Sequence, residues 1–193
     1  MAVVSQMDME LLLLLREHIT HFLQRTGKRM GTHSGKLLEI GPQGRSQVQQ
    51  YFNSFDIDTF DIVDTYNPTI VGDITKHNVQ IPADTYDLVV CMDVIEHTLD
   101  PFGAVREMRR ILKQGGILLI SAPLNLRIHG PIPDCWRFTE HGFMTLLRDF
   151  AIIEIDILES PGRDLFPVHY NIVAENDKSK CTKDSDLQFR YIE

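Results

Sequence analysis

Cysteine is scarce in this sequence. Cys91, Cys135 and Cys181 are far apart and odd in number, so neither a disulfide framework nor a metal-ligating spacing can be read from them. A reducing, cytoplasmic compartment is the simple expectation, and no metal site is expected. Basic charge is also short: 19 Lys and Arg stand against 27 Asp and Glu, a net charge of −8. No basic stripe runs along the chain, which argues against a large nucleic-acid footprint. Long apolar runs are missing too. Leu11 to Leu15 is the most apolar stretch, whereas a membrane-spanning helix needs about 20 residues. Asp8 and Glu10 precede it, as they would not in a signal peptide. No membrane association and no targeting segment are expected, and no internal repeat or linker divides the chain.

What is present is an ordinary globular composition over 193 residues, enough for one domain with a sizeable core. The organising stretch is Lys36-Leu37-Leu38-Glu39-Ile40-Gly41-Pro42-Gln43-Gly44. It reads as a short buried strand, a glycine turn and then an amphipathic helix from Arg45 to Phe52. That arrangement presents backbone N–H groups at the carboxyl edge of an α/β sheet. Glu39, one residue before the strand ends, needs a polar partner. It suits a ligand with a cationic amine better than one with a pyrophosphate. A dinucleotide fingerprint would carry a third glycine and no such acid.

The rest of the chain alternates strand and helix signals. Ser5 to Arg25 reads as a helix, with Ser5 or Asp8 as its start and Gly27 as its stop. Leu11, Leu15, Ile19, Phe22 and Leu23 give it one buried face, packed on the sheet edge or closing over a ligand. Thr26 to Gly35 reads as a polar loop. Strands are expected at Ile57–Ile62, Thr69–Val71, Leu88–Met92 and Gly116–Ala122. Little room is left for a helix between the second and third. Asp100-Pro101 opens a helix as N-cap and first residue, and Gln114-Gly115-Gly116 ends it. Thr139 caps a further helix, Glu140 to Arg148. Phe150–Leu158 and Val168–Ala174 are the last two strands. With no helix pattern between them, they form an antiparallel hairpin. Asn176 to Glu193 reads as a polar tail in which Leu187, Phe189 and Tyr191 alternate.

An acid about 20 residues beyond the first glycine is where nucleotide-binding sheets hold a ribose. Asp61 falls there, with Ile62 beside it and Asp58 and Asp64 as competitors. Pro123 to Phe138 is a long irregular loop of the kind that carries function at such an edge. It holds the single Trp136 together with His129, Asp134 and Arg137.

The Glu39-x-Gly41-x-x-Gly44 turn resembles motif I of the class I S-adenosylmethionine-dependent methyltransferases, though it keeps only two of the glycines. Tyr86-Asp87-Leu88-Val89-Val90-Cys91-x-x-Val94-Ile95-Glu96-His97 is similar to the same family's motif IV. The block Leu112-Lys113-x-Gly115-Gly116, apolar strand, Ser121-x-Pro123 resembles its fifth-strand region. The resemblance spans Lys36 to Ala174. It implies an α/β three-layer sandwich around a seven-stranded, mostly parallel sheet with an antiparallel last strand. The whole chain, 1–193, would form a single methyltransferase domain. Its parts would be an N-terminal helix and loop (1–35), a core (36–174) and a polar tail (175–193).

The implied cofactor is S-adenosylmethionine, with S-adenosylhomocysteine as product. The resemblance places it against Glu39, Gly41, Pro42, Gly44, Asp61 and Ile62, with Asp73 and Ile74 at the adenine. Cys91 and Met92 would stand beside the methionine part. In a similar subgroup of small methyltransferases the Pro123–Phe138 loop covers the pocket, which makes His129, Asp134, Trp136 and Arg137 the expected acceptor residues. The implied reaction is transfer to an oxygen or nitrogen of a small molecule. A base, where one is needed, is His129, with His97 and His169 as alternatives, since imidazole titrates near neutrality. His97 also reads as a structural histidine bonded to backbone. A cofactor-binding module without catalysis and an NAD-dependent oxidoreductase are the competing readings.

Overall fold

The first helix starts on a reciprocal cap. Ser5 Oγ accepts from the backbone N–H of Asp8, and the Asp8 carboxylate accepts from that of Ser5, satisfying two donors that a helix start leaves free. In the computed structural model, which describes residues 4–31, 33–44 and 47–179, this helix (α1) runs Gln6–Arg29. Gly27 does not stop it. A Cβ there would lie 2.4 Å from the carbonyl oxygen of Tyr51, so the glycine lets α1 and the next helix, α2 (Gln47–Tyr51), approach closely. The polar loop expected from Thr26 therefore shrinks to the few residues after α1.

Seven strands follow in chain order: β1 Gly35–Ile40, β2 Phe55–Asp61, β3 Ile70–Val71, β4 Tyr86–Met92, β5 Leu112–Pro123, β6 Ala151–Glu159 and β7 Pro167–Glu175. They lie in the order β3-β2-β1-β4-β5-β7-β6. The first five pair in parallel, and β7 runs antiparallel to both β5 and β6. The expected mixed sheet with one antiparallel strand is thus observed. No helix separates β2 from β3.

Period-two alternation sends neighbouring residues to opposite faces. Leu37, Leu88, Val90, Leu119 and Val173 meet Leu15, Ile19, Phe22 and Leu23 of α1 and Val48 of α2. Leu38, Val89, Leu118, Ile120 and Ile172 meet Met108 and Ile111 of α3 (Pro101–Ile111) and Phe143 of α4 (Glu140–Leu146). The result is three layers, with α1 lying across one face of the sheet and not along its edge.

Asp100 caps α3 through Gly103 N–H, with Pro101 in the first turn. The helix passes straight into β5 at Leu112, ahead of the glycine pair expected to separate them. Thr139 caps α4 as expected, but that helix stops at Leu146. The tail does not start loose. Asn176 is buried, and its amide donates to the carbonyls of Arg109, Leu112 and Lys113, which ties the end of β7 to the end of α3. Leu187, Phe189 and Tyr191 lie outside the described residues. Among the described residues no helix is long and apolar enough to cross a membrane.

Candidate active site

Strands β1 and β4 lie side by side, and the chain leaves them toward opposite ends of the sheet. Such a reversal opens a crevice at the carboxyl edge, where α/β sheets hold ligands. Gly41 turns there with φ +67°, and a Cβ would meet Val94 Cγ2 at 2.6 Å. Both facts require glycine. Gly44 also has positive φ, at +72°. Glu39, Gly41, Pro42 and Met92 line a narrow recess of about 30 Å³, which Ile19 and Leu23 of α1 close from above.

Asp61 ends β2 and is only 8% exposed; its carboxylate accepts from Val63 N–H at 3.2 Å. Of its competitors, Asp58 accepts from the Tyr86 hydroxyl at 3.0 Å, and Asp64 is exposed. Ile62 lies past the strand and is 67% exposed. Asp73 turns one carboxylate oxygen onto Thr75, accepting from its N–H at 2.9 Å and its hydroxyl at 2.7 Å. Ile74 packs in the core at 6% exposure instead of standing open at the edge. Cys91 is fully buried, and burial pushes its thiol well above the usual range. That leaves its backbone, not its sulfur, as the group a ligand could use.

A larger cavity of about 720 Å³ opens between α1 and the segment after β5. Met7, Leu11, Leu14, Leu124, Leu126 and Phe166 supply apolar wall, while Arg127, Arg137 and Arg163 and the acids Asp8, Glu10 and Asp134 supply charge of both signs. Asp134 and Arg137 stiffen the loop: Arg137 Nη2 donates to Asp134 Oδ2 at 2.7 Å. The Arg137 guanidinium holds the Asp134 carboxyl far below the usual range, helped by the N–H of His129. Trp136 donates its indole N–H to Thr98 O at 2.8 Å and stays 39% exposed at the cavity wall.

Behind that wall stand the groups that sequence reasoning ranked low or missed. A single 3-10 turn, Ile95–His97, follows β4. It places Glu96 and His97 against His129, whose ring centroid is 4.9 Å from that of His97. Burial raises the Glu96 carboxyl, and the nearby Glu96 carboxylate raises His129 against the effect of burial, with Asp134 adding to it. His97 does bond backbone as expected, through Nδ1 to Pro133 O at 2.9 Å. Its other nitrogen faces Glu96. Glu96, His97 and His129 each offer a ligand atom, and these atoms lie within 4.8 Å of one another. Cysteine spacing carried no signal of this. The pair Glu96-His97 just past a strand end was the readable clue.

His169, the third candidate base, is fully buried on β7. Its Nε2 lies 2.8 Å from Asp93 Oδ1, which also accepts from the Ser121 hydroxyl at 2.8 Å. Its Nδ1 meets His18 of α1. It is closed to an acceptor in the cavity. Asp93 itself was missed. It occupies φ +52° directly after β4. Burial would raise its carboxyl, but His169 and Ser121 hold it below the usual range.

Comparison with known proteins agrees with this architecture. A family model described as a methyltransferase domain matches residues 14–153. Over 56 residues the chain is 32% identical to the ubiquinone biosynthesis O-methyltransferase of Haemophilus ducreyi, a stretch covering 29% of this chain and 24% of that protein. The chain thus matches about a quarter of the length of these curated relatives. The cyclase SpnF superposes with a TM-score of 0.65 at 14% identity, over 82% of this chain and 80% of that one. The 1,6-didemethyltoxoflavin-N1-methyltransferase of Burkholderia thailandensis, solved with that substrate and S-adenosylhomocysteine, gives 0.61 at 11% identity, over 92% and 93%. At such identities these likenesses establish the fold. That one of them is a cyclase shows why chemistry must be argued from the site.

Proposed function

Because the chain belongs to the methyltransferase-domain family and has the class I methyltransferase fold, we propose that it moves the methyl group of S-adenosylmethionine to an oxygen or nitrogen of a small acceptor. One observation carries this reading. Helix α1 lines both the recess at Glu39, Gly41 and Met92 and the larger cavity at Arg127, Trp136 and Arg137. A single cover thus serves a site for the cofactor and a site for a second molecule. A cofactor-binding module without chemistry would have no use for the second cavity.

In this reading Glu39, Gly41, Pro42, Gly44, Asp61 and Ile62 hold the cofactor's amino-acid and ribose parts. Asp73 serves the adenine, with Ile74 held in the core behind it, and Cys91 and Met92 serve the methionine end. The sulfonium methyl is already activated. The protein's tasks are to hold a nucleophile in line, exclude water and see the acceptor's proton removed. The cavity's apolar wall fits an acceptor with an apolar body, and its charged groups of both signs fit a hydrogen-bonding substituent.

Calorimetric titration with S-adenosylhomocysteine, and with NADH in parallel, tests the assignment. Saturable binding of the first alone is expected. Binding of NADH alone would make the protein an oxidoreductase, and binding of neither would remove the cofactor role. A panel of hydroxyl and amine acceptors, followed by release of S-adenosylhomocysteine, then separates an enzyme from a binding module.

A further inference from the structure

Glu96 is fully buried, and neither of its carboxylate oxygens has a hydrogen-bond partner. A carboxylate taken out of water without hydrogen bonds is strongly destabilising. Its place is nevertheless firmly built. The Glu96 carbonyl accepts from Cys135 N–H at 2.8 Å and Trp136 N–H at 3.1 Å, so its turn is fastened to the loop that carries His129.

The His97 imidazole is oriented by its outer nitrogen. His97 Nδ1 lies 2.9 Å from the Pro133 carbonyl. A carbonyl can only accept, so Nδ1 carries the hydrogen and the neutral ring has its lone pair at Nε2. His129 Nδ1 lies 3.2 Å from Asp134 Oδ2, which places a carboxylate behind that ring. The two Nε2 atoms each lie 3.7 Å from Glu96 Oε1. That is too long for a hydrogen bond. It is close to the separation of two donors sharing one ion, about 3.4 Å for tetrahedral ligands some 2.1 Å from the metal. An imidazole bonded to a backbone carbonyl, as His97 is, with a carboxylate behind its neighbour, resembles the outer shell of a metal site.

The geometry points to a divalent transition-metal site formed by Glu96, His97 and His129, set behind the cavity wall at Asp134, Cys135 and Trp136. Two nitrogens and one carboxylate suit zinc, manganese, iron(II) or cobalt(II). Magnesium, which prefers an all-oxygen shell, is disfavoured. The site's existence is independent of the methyl-transfer reading, but its role rests on that reading and narrows it to an oxygen acceptor. A hydroxyl bound to the ion loses its proton to solvent more readily. The oxygen lone pair then forms the O–CH3 bond while the S–CH3 bond breaks, and the sulfur keeps that electron pair as S-adenosylhomocysteine. His129 is then a ligand and not the base.

The test uses the untagged, metal-stripped protein without cofactor, titrated with cobalt(II) and followed by visible absorption, with zinc followed by calorimetry. One ion per chain is expected, with the intense cobalt bands of a site of low coordination number. His97→Ala and His129→Ala should each weaken binding at least tenfold, and Asp134→Asn about tenfold. Zinc should raise the melting temperature of the wild type but not of Glu96→Gln, a variant that preserves shape. Absence of cobalt binding, or binding unchanged in the ligand variants, overturns the proposal. S-adenosylhomocysteine titration of the same variants reports on folding and on the cofactor site. Cobalt binding without nucleoside binding would sink the methyl-transfer reading and leave the metal site standing. The reverse would sink the metal site alone.

Discussion

His18 of α1 and His169 of β7 face each other nitrogen to nitrogen, with their Nδ1 atoms 3.1 Å apart. Their outer nitrogens each meet a carboxylate: His169 Nε2 lies 2.8 Å from Asp93 and His18 Nε2 3.2 Å from Asp156. The Asn171 amide nitrogen lies 3.1 Å from His18 Nδ1. Arg25 bonds Asp156 at 3.1 Å, and Arg29 bonds Glu154 on the same strand. This row of polar contacts joins the helix that covers both cavities to the carboxyl edge of β4.

The row makes stability depend on pH. Burial, and then the neighbouring His169, lower the pKa of His18 from its ordinary 6.5, against the pull of Asp156. A histidine whose folded pKa is depressed contributes stability that is complete above the unfolded value. That contribution is lost as pH falls below it. The urea midpoint should therefore drop as pH is lowered from about 7 to 5.5. His18→Gln should flatten that slope, and an unchanged slope would take His18 out of the titration.

Asp61→Ala should weaken S-adenosylhomocysteine binding at least tenfold, about 1.4 kcal/mol, because a buried strand-end carboxylate accepts from ribose hydroxyls. Calorimetry reads this directly. Unchanged affinity would remove Asp61 from the site.

Gly41→Ala combines a positive φ with a Cβ only 2.6 Å from Val94 Cγ2. Strain of roughly 1–3 kcal/mol is expected. The turn should shift, and cofactor affinity should fall along with the melting temperature. A variant with both values intact would show that this turn does not shape the crevice.

Glu96→Gln should stabilise the metal-free protein at neutral pH. Burial raises the Glu96 carboxyl above its ordinary 4.5. The unfolded chain therefore ionises first as pH rises, and the penalty grows from about pH 4.5 upward. The stability difference between variant and wild type should shrink as pH is lowered toward 4. Thermal melts in chelator across that range measure it.

Gly27→Ala forces a methyl group against the Tyr51 carbonyl at 2.4 Å. Overpacking costs about 1–3 kcal/mol. Chemical denaturation should show that loss, and protease cleavage near α1 should become faster as the helix seats less firmly.

Local chemistry was enough for much of this protein. The Asp100-Pro101 cap, the apolar runs of β4 and β5 and the turn at Gly41 each depend on residues close in sequence, so they could be read directly. The antiparallel placement of β7 followed from the absence of a helix between the last two strands. Sequence position also put Asp61 at a strand end. What remained illegible depends on packing across the fold. Gly27 looked like a helix stop because its partner, the Tyr51 carbonyl, belongs to another helix. Ile74 looked available to a ligand until the core enclosed it. His18 meets His169 only because α1 crosses the face of β7, and His129 reaches Glu96 and His97 only because the loop after β5 folds back over the turn after β4. Backbone propensity acts over a few residues, whereas burial, facing lone pairs and shared ligands arise only when the sheet brings distant segments together.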